Sequence, residues 1–237
     1  MTARSVVLSV LLGAHPAWAS AADLIRLTAD FGIRESTLRV AMTRMVSAGD
    51  LVRSDDGYRL SDRLLARQRR QDDAISPRLR ADRGEWLVLV ITTVGIDAKS
   101  RSSLRNALQQ SRFAELREGV WLRPDNLDQT LPREITERVR VMRAHDDNPA
   151  ELVDVLWDLQ AWARVGRRLL DDLASAPDMP GRFTAAAAVV RHLLSDPVLP
   201  VELLPADWPG AQLRRAYTDF AAELVALRDN PELLEAT

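Results

Sequence analysis

Residues 21–60 read AADLIRLTADFGIRESTLRVAMTRMVSAGDLVRSDDGYRL, a pattern that predicts two short helices joined by a turn and followed by a two-stranded ribbon. Gly32 lies in the predicted turn, where glycine tolerates backbone angles that other residues resist. Asp55, Asp56 and Gly57 form a hairpin-turn signal between two short apolar segments. This order of elements describes a winged helix-turn-helix, so double-stranded DNA is the first partner to consider.

The second predicted helix carries both a buried stripe and a face that suits DNA. Its apolar positions recur at helical spacing: Leu38, Ala41, Met42 and Met45. The other positions hold arginines, hydroxyl residues and a valine, which suit guanine edges, phosphates and thymine methyl groups. The predicted DNA-binding residues are Ser36, Thr37, Arg39, Val40, Thr43 and Arg44 on this helix and Arg53 and Arg59 on the ribbon. The same residue types also occur as ordinary solvated surface, which is the alternative interpretation.

Composition limits the other classes of function. The chain has 237 residues, 46% of them hydrophobic, and contains no cysteine, which excludes disulfides and thiolate zinc sites. The histidines lie far apart in sequence, so no histidine zinc site and no cofactor are predicted. No segment approaches the roughly 20 apolar residues of a membrane span, so no membrane partner is predicted.

Charge is distributed unevenly along the chain. The formal net charge is −2, made up of +4 in residues 1–70, 0 in residues 71–148 and −6 in residues 149–237. The positive segment coincides with the predicted DNA-binding helix. An acidic C-terminal part would be repelled by DNA, so this polarity predicts one DNA-facing end.

The first 20 residues have two interpretations. Arg4, the apolar run from Val6 to Leu12 and the Ala17-Trp18-Ala19 segment imitate a secretory signal. Alternatively, a first helix has an apolar face made of Val6, Val7, Val10 and Leu11. It would pack under the second predicted helix, which we call the reading helix because it carries the predicted DNA-binding residues. We favour the helix, because the apolar run is short for export and its removal would expose the remaining core.

The middle of the chain predicts a small α+β domain. After helix-forming residues 61–70, Pro77 and the charged residues 78–85 indicate a linker. Residues 86–94 (WLVLVITTV) predict a strand buried on both sides, and a helix is predicted over 101–111. Residues 119–124 (GVWLRP) and 138–142 (RVRVM) predict two further strands, which together indicate a ferredoxin-like sandwich.

The remainder of the chain predicts a helical domain. Residues 149–174 form one long amphipathic stretch, and helices are predicted over 185–194 and 211–228. Between them, residues 196–210 (DPVLPVELLPADWPG) are too rich in proline for a regular element and too apolar for a solvated tail. This loop is therefore expected to pack onto the protein.

The winged segment, the strands at 86–94 and 119–124, and above all residues 196–210 resemble the PaaX family of bacterial transcriptional repressors. The resemblance spans nearly the whole chain. It implies an α+β protein with a winged helix-turn-helix domain (1–75), a ferredoxin-like, Cas2-like central domain (76–147) and an all-helical C-terminal domain (148–237). It also favours the helical interpretation of the first 20 residues.

The same resemblance implies a cytoplasmic, non-enzymatic homodimer that binds an inverted repeat in operator DNA and represses a catabolic operon. The best-known family member is released from DNA by phenylacetyl-CoA, so an aryl- or acyl-CoA thioester is the implied effector. Such a ligand needs arginines for its phosphates and an apolar slot for its acyl group. The candidate effector-binding residues are Arg112, Trp121, Arg123, Trp157, Arg191 and His192. Each of them also has an ordinary structural interpretation, as a surface ion pair or a core aromatic.

Two other classes of function remain open. A Cas2-like metal-dependent nuclease needs an aspartate at the end of the first strand of the central domain. Here that strand ends in Thr92-Thr93-Val94, and Asp97 follows only after Gly95, which disfavours catalysis. The other alternative is an interaction scaffold that uses its winged domain to bind a protein partner.

Overall fold

The computed structural model describes residues 2–54, 56–95 and 97–229, which form two compact units. The winged unit comprises Met1–Ile75, Arg168–Arg191 and Gln212–Thr237. The sheet unit comprises Ser76–Arg167 and His192–Ala211.

The helices and strands alternate along the chain. The helices are α1 (Ala3–Gly13), α2 (Ala21–Leu27), α3 (Glu35–Ser47), α4 (Asp62–Ile75), α5 (Ala98–Gln110), α6 (Arg133–Thr136), α7 (Pro149–Leu156), α8 (Leu159–Ser175), α9 (Met179–Leu193) and α10 (Gly210–Asp229). The strands are β1 (Trp18–Ala19), β2 (Leu51–Arg53), β3 (Tyr58–Leu60), β4 (Trp86–Ile91), β5 (Ala114–Arg117), β6 (Val120–Pro124) and β7 (Val139–Ala144).

The first helix belongs to the core of the winged unit. The side-chain oxygen of Thr2 accepts a hydrogen bond from the Ser5 backbone N–H and caps α1. Val6, Val7 and Leu11 are fully buried, and α1 packs against α3 and α4. The structure thus places the apolar run near the start of the chain in a helix that supports the reading helix.

The winged unit also contains a three-stranded sheet of order β1-β3-β2. The predicted ribbon is present as β2 and β3, paired antiparallel from Leu51↔Leu60 to Arg53↔Tyr58. Asp55, in the predicted turn, lies outside the described residues. The third strand, β1, was not predicted, because a two-residue strand has no periodicity that a sequence pattern can reveal.

The sheet unit has the ferredoxin-like topology that the sequence predicts. Its antiparallel sheet has the strand order β5-β6-β4-β7, and the helices α5 and α6 connect β4 to β5 and β6 to β7. The central strand β4 is covered on both faces: Leu87 and Leu89 join one core with Leu104 and Leu108, whereas Trp86 joins a second core. This two-sided burial explains why residues 86–91 are continuously apolar.

Several boundaries differ from the prediction. β5 was not assigned a strand from the sequence, and β4 ends at Ile91, three residues before the apolar run ends. The stretch 149–174 is two helices, not one. Trp157 takes an extended conformation, and the Asp158 carboxylate accepts a hydrogen bond from the Ala161 N–H (2.8 Å), which starts α8 anew.

Two segments without regular structure are packed rather than loose. In the proline-rich loop, Leu199 is buried in a core with Trp86, and Asn126 donates a hydrogen bond to the Val198 carbonyl (2.8 Å). The predicted linker at 77–85 pairs with the protein through a bridge between Leu79 and Leu127. The loop prediction is therefore confirmed, whereas the 77–85 segment is not a free linker.

Candidate nucleic-acid interface

A short turn sets the angle between α2 and α3. Ser20 and Asp23 form a reciprocal capping box that starts α2. A single 3₁₀ turn, Ala29–Phe31, follows, and Gly32 ends it with φ 64°, in the left-handed region that favours glycine. The turn therefore requires the left-handed backbone conformation at Gly32, the residue where the sequence predicts that glycine is needed.

The buried side of α3 fixes which residues face outward. Leu38, Met42 and Met45 are almost wholly buried, and they share a core with Leu11 and Leu24. Ala41, the fourth residue of the predicted stripe, is half-buried. This anchoring stripe rotates α3 so that its opposite side is in solvent.

The predicted DNA-contacting residues of α3 all lie on that solvent side. They are Ser36, Thr37, Arg39, Val40, Thr43 and Arg44. Because a helix advances about 100° per residue, Ser36, Val40 and Thr43 fall within roughly 60° of one another and form the centre of the face. Arg39 and Arg44 are roughly 140° apart and flank this centre on opposite sides. A central strip of small side chains between two guanidinium groups suits insertion into a groove.

Hydrogen bonding distinguishes the two flanking arginines. Arg39 forms an ion pair with Glu35 one turn earlier (Nη2 to Oε1, 2.7 Å), with both side chains more than half exposed. The Arg44 guanidinium makes no hydrogen bond or ion pair with any residue that the structure describes, and it is exposed. The Thr43 hydroxyl donates to the Arg39 carbonyl (3.0 Å). Arg44 can thus meet DNA without losing a partner, whereas Arg39 must first leave Glu35.

The wing presents its two arginines on different faces. Arg59 pairs with Val52 across the ribbon, and both point away from the core. Arg53 pairs with Tyr58, on the face that further along carries the buried pair Leu51 and Leu60. Both arginines are exposed, on opposite faces of the ribbon, and their contact with phosphates stays a prediction.

The close approach of β1 stiffens the wing. A Cβ atom at Gly57 would lie 2.5 Å from the Ala19 carbonyl oxygen, so glycine is needed where β1 passes the ribbon. The Trp18 indole N–H donates to the Ser54 hydroxyl (3.4 Å). The wing is therefore held by three strands instead of two.

Sequence reasoning missed two contributors. Arg34, immediately before α3, is exposed at the end of the helix that would enter the groove; its position beside the turn was the available signal. Asp50 is buried and binds both Arg4 (2.8 Å) and Arg63, which ties α1 and α4 to the start of the wing. No sequence pattern indicated this bridge, because its partners lie far away along the chain.

The acidic C-terminal segment does not form a folded unit of its own. Its helices α9 and α10, which carry five arginines against three carboxylates, belong to the winged unit. The prediction of one DNA-facing end therefore depends on local charge and stays a prediction. Positive charge is local to α3 and the wing, where Arg34, Arg39, Arg44 and Arg59 are exposed.

Asp97, the candidate acid for a nuclease, has a structural task. Its carboxylate accepts hydrogen bonds from the Ser100 N–H (2.8 Å) and hydroxyl (3.0 Å), which cap α5 and lower its pKa. Among the described residues, no group of three histidine, aspartate or glutamate side chains is placed to hold a metal ion. None of the described helices is both long and apolar enough to span a membrane.

Three of the predicted effector residues share one groove in the sheet unit. Arg112, Trp121 and Trp157 line an open groove of about 540 Å³ with Leu156 and Pro197. The Arg112 backbone has φ 68°. Its guanidinium donates hydrogen bonds to the carbonyls of Leu193 and Leu194 (both 3.1 Å), so it is already bonded to the protein backbone.

The other candidates are placed elsewhere. Arg123 is 1% exposed, lies over the Phe113 ring (5.0 Å), and has a pKa lowered to about 10 by burial. His192 stacks on Trp162 (ring centroids 4.1 Å apart), and burial lowers its pKa. Arg191 belongs to the winged unit and lines a cavity there. The effector assignment stays a prediction for all six.

Comparisons with known proteins agree with this architecture. Three family models match in succession: a PaaX-like protein over residues 2–64, the PaaX protein central Cas2-like domain over 80–152, and the PaaX-like protein C-terminal domain over 152–230. No curated protein matches the chain significantly. A solved structure, the uncharacterized protein Rv0674 from Mycobacterium tuberculosis, is 66% identical, covers 96% of this chain and 97% of its own, and superposes with a TM-score of 0.86. The winged N-terminal fold, the Cas2-like sheet and the helical C-terminal region thus occur in family order, and the chain belongs to the PaaX family of transcription regulators.

Proposed function

We propose that the protein is a DNA-binding repressor that acts as a homodimer on an inverted repeat. One observation carries the proposal: α3 presents an exposed strip, Ser36, Val40 and Thr43, flanked by Arg39 and Arg44. Small hydroxyl and methyl groups can approach base edges, while guanidinium groups reach guanine or phosphate.

The wing supplies the second part of the interface. Arg59 lies on its outer face and can bind a phosphate oxygen, which sets register without reading sequence. Two copies of the winged unit would place two α3 helices in successive turns of the major groove, about 34 Å apart. An effector that favours another dimer geometry would remove this match and release the DNA.

The effector that the family implies is an aryl- or acyl-CoA thioester. The groove around Trp157 supports this assignment because its volume, about 540 Å³, is in the range of ligand pockets, and the half-buried Trp157 indole is available to an acyl group, whereas Trp121 is 2% exposed. Arg112 lies at the same groove, and it would bind a phosphate only after releasing backbone carbonyls.

The test is an electrophoretic shift of the full chain with DNA from its own genomic neighbourhood, with and without phenylacetyl-CoA. A shift that the thioester reverses supports the repressor. Cleavage of the DNA with a divalent cation would identify the nuclease instead. Absence of any shift across the neighbouring intergenic regions would identify a scaffold.

A further inference from the structure

The winged unit contains a cavity that none of the assignments above uses. It has a volume of about 80 Å³ and lies between α1 and α4 on one side and α9 and α10 on the other. On this scale a single water needs roughly 10–15 Å³, so the cavity has room for a group of roughly six non-hydrogen atoms. Phe183 and Phe220, in edge-to-face contact at 5.9 Å, form part of its apolar wall with Leu12 and Val190.

Polar groups without partners converge on this apolar space. The Gln71 side chain is only 8% exposed, yet it makes no hydrogen bond with any described residue. The Tyr217 phenol also lines the cavity without a hydrogen-bond partner in the described part of the chain, and burial raises its pKa to about 12. The amide and the neutral phenol face the cavity, so both are available as hydrogen-bond donors to a ligand.

Two cations border the opening. Arg67 and Arg191 line the cavity but are exposed, which places them at its mouth. Within the described residues, neither guanidinium has an ion-pair or hydrogen-bond partner. Asp72, the carboxylate whose charge acts on Tyr217, is paired with His15 (3.2 Å). The mouth is therefore positive and prepared for an anion.

We propose that this cavity binds a small organic carboxylate, whose ring or short alkyl group fills the apolar space and whose anionic head lies between Arg67 and Arg191. A compact apolar group of about six atoms matches the volume of the cavity. The Gln71 amide and the Tyr217 phenol can donate hydrogen bonds to the carboxylate oxygens of the ligand. This site is separate from the groove proposed for the thioester, and it takes a free acid.

The location connects the site to the DNA-binding face. Leu12 of α1 lines the cavity, and the adjacent Leu11 packs in the core that holds Leu38 and Met42 of α3. A ligand bound between α1 and α10 thus alters the packing of α1 against α3, the reading helix. This consequence for DNA rests on the proposed function, whereas binding itself does not.

The test uses the full chain with 4-fluorobenzoate and its neutral analogue 4-fluorobenzamide, followed by ¹⁹F NMR. We expect 4-fluorobenzoate to bind with a Kd of about 1 mM or lower, an ordinary affinity for a ligand of this size. The amide should bind at least tenfold more weakly. Equal affinity for the acid and the amide overturns the proposal. So does a lack of binding of the acid at about 10 mM, tenfold above the expected Kd.

Paired variants locate the site. Arg67→Gln with Arg191→Gln should weaken the acid at least tenfold, whereas Arg70→Gln with Arg215→Gln, two exposed arginines of α4 and α10, should leave it unchanged. Ala187→Leu, which fills the cavity without changing charge, should abolish binding while circular dichroism and melting report an intact fold. Equal effects of both arginine pairs, or full binding by the filled variant, contradict the site.

Two further outcomes separate this proposal from the proposed function. Operator binding without 4-fluorobenzoate binding removes the carboxylate site and leaves the repressor. Carboxylate binding in a protein that shifts no DNA removes the repressor and leaves the site. Displacement of 4-fluorobenzoate by hexanoyl-CoA at equal or lower concentration shows that the cavity prefers a thioester, which overturns the assignment to a free acid.

Discussion

Replacing Arg39 by alanine tests the reading face most informatively, because Arg39 already has a partner. Its ion pair with Glu35 joins side chains that are 58% and 56% exposed, and exposed pairs at this spacing contribute about 0.3–0.5 kcal/mol. A bidentate contact with guanine contributes about 1–3 kcal/mol. The contact with DNA therefore outweighs the lost pair by about 0.5–2.7 kcal/mol, and Arg39→Ala should weaken operator binding by roughly 2- to 100-fold.

Glu35 provides the complementary change. Glu35→Gln releases Arg39 in the free protein and removes a negative charge beside the DNA, so operator binding should become about twofold tighter or more. In the double variant the benefit of Glu35→Gln should shrink, because Arg39 is no longer there to be released. Fluorescence anisotropy with a labelled operator at fixed salt measures all three.

A matched control exists in the sheet unit. Arg133, the first residue of α6, forms the same kind of exposed pair with Glu137, four residues later. Arg133→Ala should leave operator affinity within twofold of the parent. The reasoning is refuted if Arg39→Ala changes affinity no more than Arg133→Ala does, or if it weakens operator and unrelated DNA equally, which would make Arg39 a phosphate contact.

Three further predictions concern the wing and the sheet unit. Arg59→Ala should weaken all DNA sequences by the same factor and reduce the slope of log affinity against log salt by about 1; an unchanged slope removes Arg59 from the interface. Arg123→Met removes a buried guanidinium and keeps packing on Phe113, so urea unfolding should show equal or higher stability, by up to about 4 kcal/mol. A loss of more than about 1 kcal/mol would show that the hydrogen bond to the Pro124 carbonyl and the contact with Phe113 outweigh the cost of burying the charge. The pKa of His192 is lower in the folded protein than in the unfolded chain, where it is about 6.5, so the unfolded chain binds more protons as the pH falls through that value. The free energy of unfolding should therefore fall between pH 7 and 5. His192→Phe should reduce that fall, and an unchanged pH dependence would contradict the burial argument.

The helices and central strands were predictable because burial repeats with their geometry. Leu38, Met42 and Met45 recur at helical spacing, and the core uses them as that spacing implies. The β4 strand was recognisable because both its faces are covered. Periodicity is a local property, so local elements that bury a full face are the ones that it reveals.

Features that depend on distant partners were not predictable. β1 is two residues long and forms only because β3 passes beside it. The bridge from Asp50 to Arg4 and Arg63 joins residues up to 46 positions apart. The break before α8 depends on the Asp158 cap, which resembles any exposed aspartate in the sequence.

The candidate site divides in the same way. Residue types and spacing identified the exposed side of α3, since the buried stripe determines what remains outside. The Arg39–Glu35 pair is implicit in its four-residue spacing, but the different faces of Arg53 and Arg59 follow only from the strand register. The cavity at Gln71 and Tyr217 joins four helices from both ends of the chain, which no sequence pattern shows.

A tethered cleavage reagent tests the central claim, that α3 enters the groove of DNA. The chain has no cysteine, so Ser47→Cys, at the exposed end of α3, carries an iron chelate at a single position. Val141→Cys, on the exposed part of β7, is the control. The account predicts cuts from Ser47→Cys clustered at two operator positions about one helical turn apart, and none from Val141→Cys. Identical, unlocalised cleavage by both variants would contradict it.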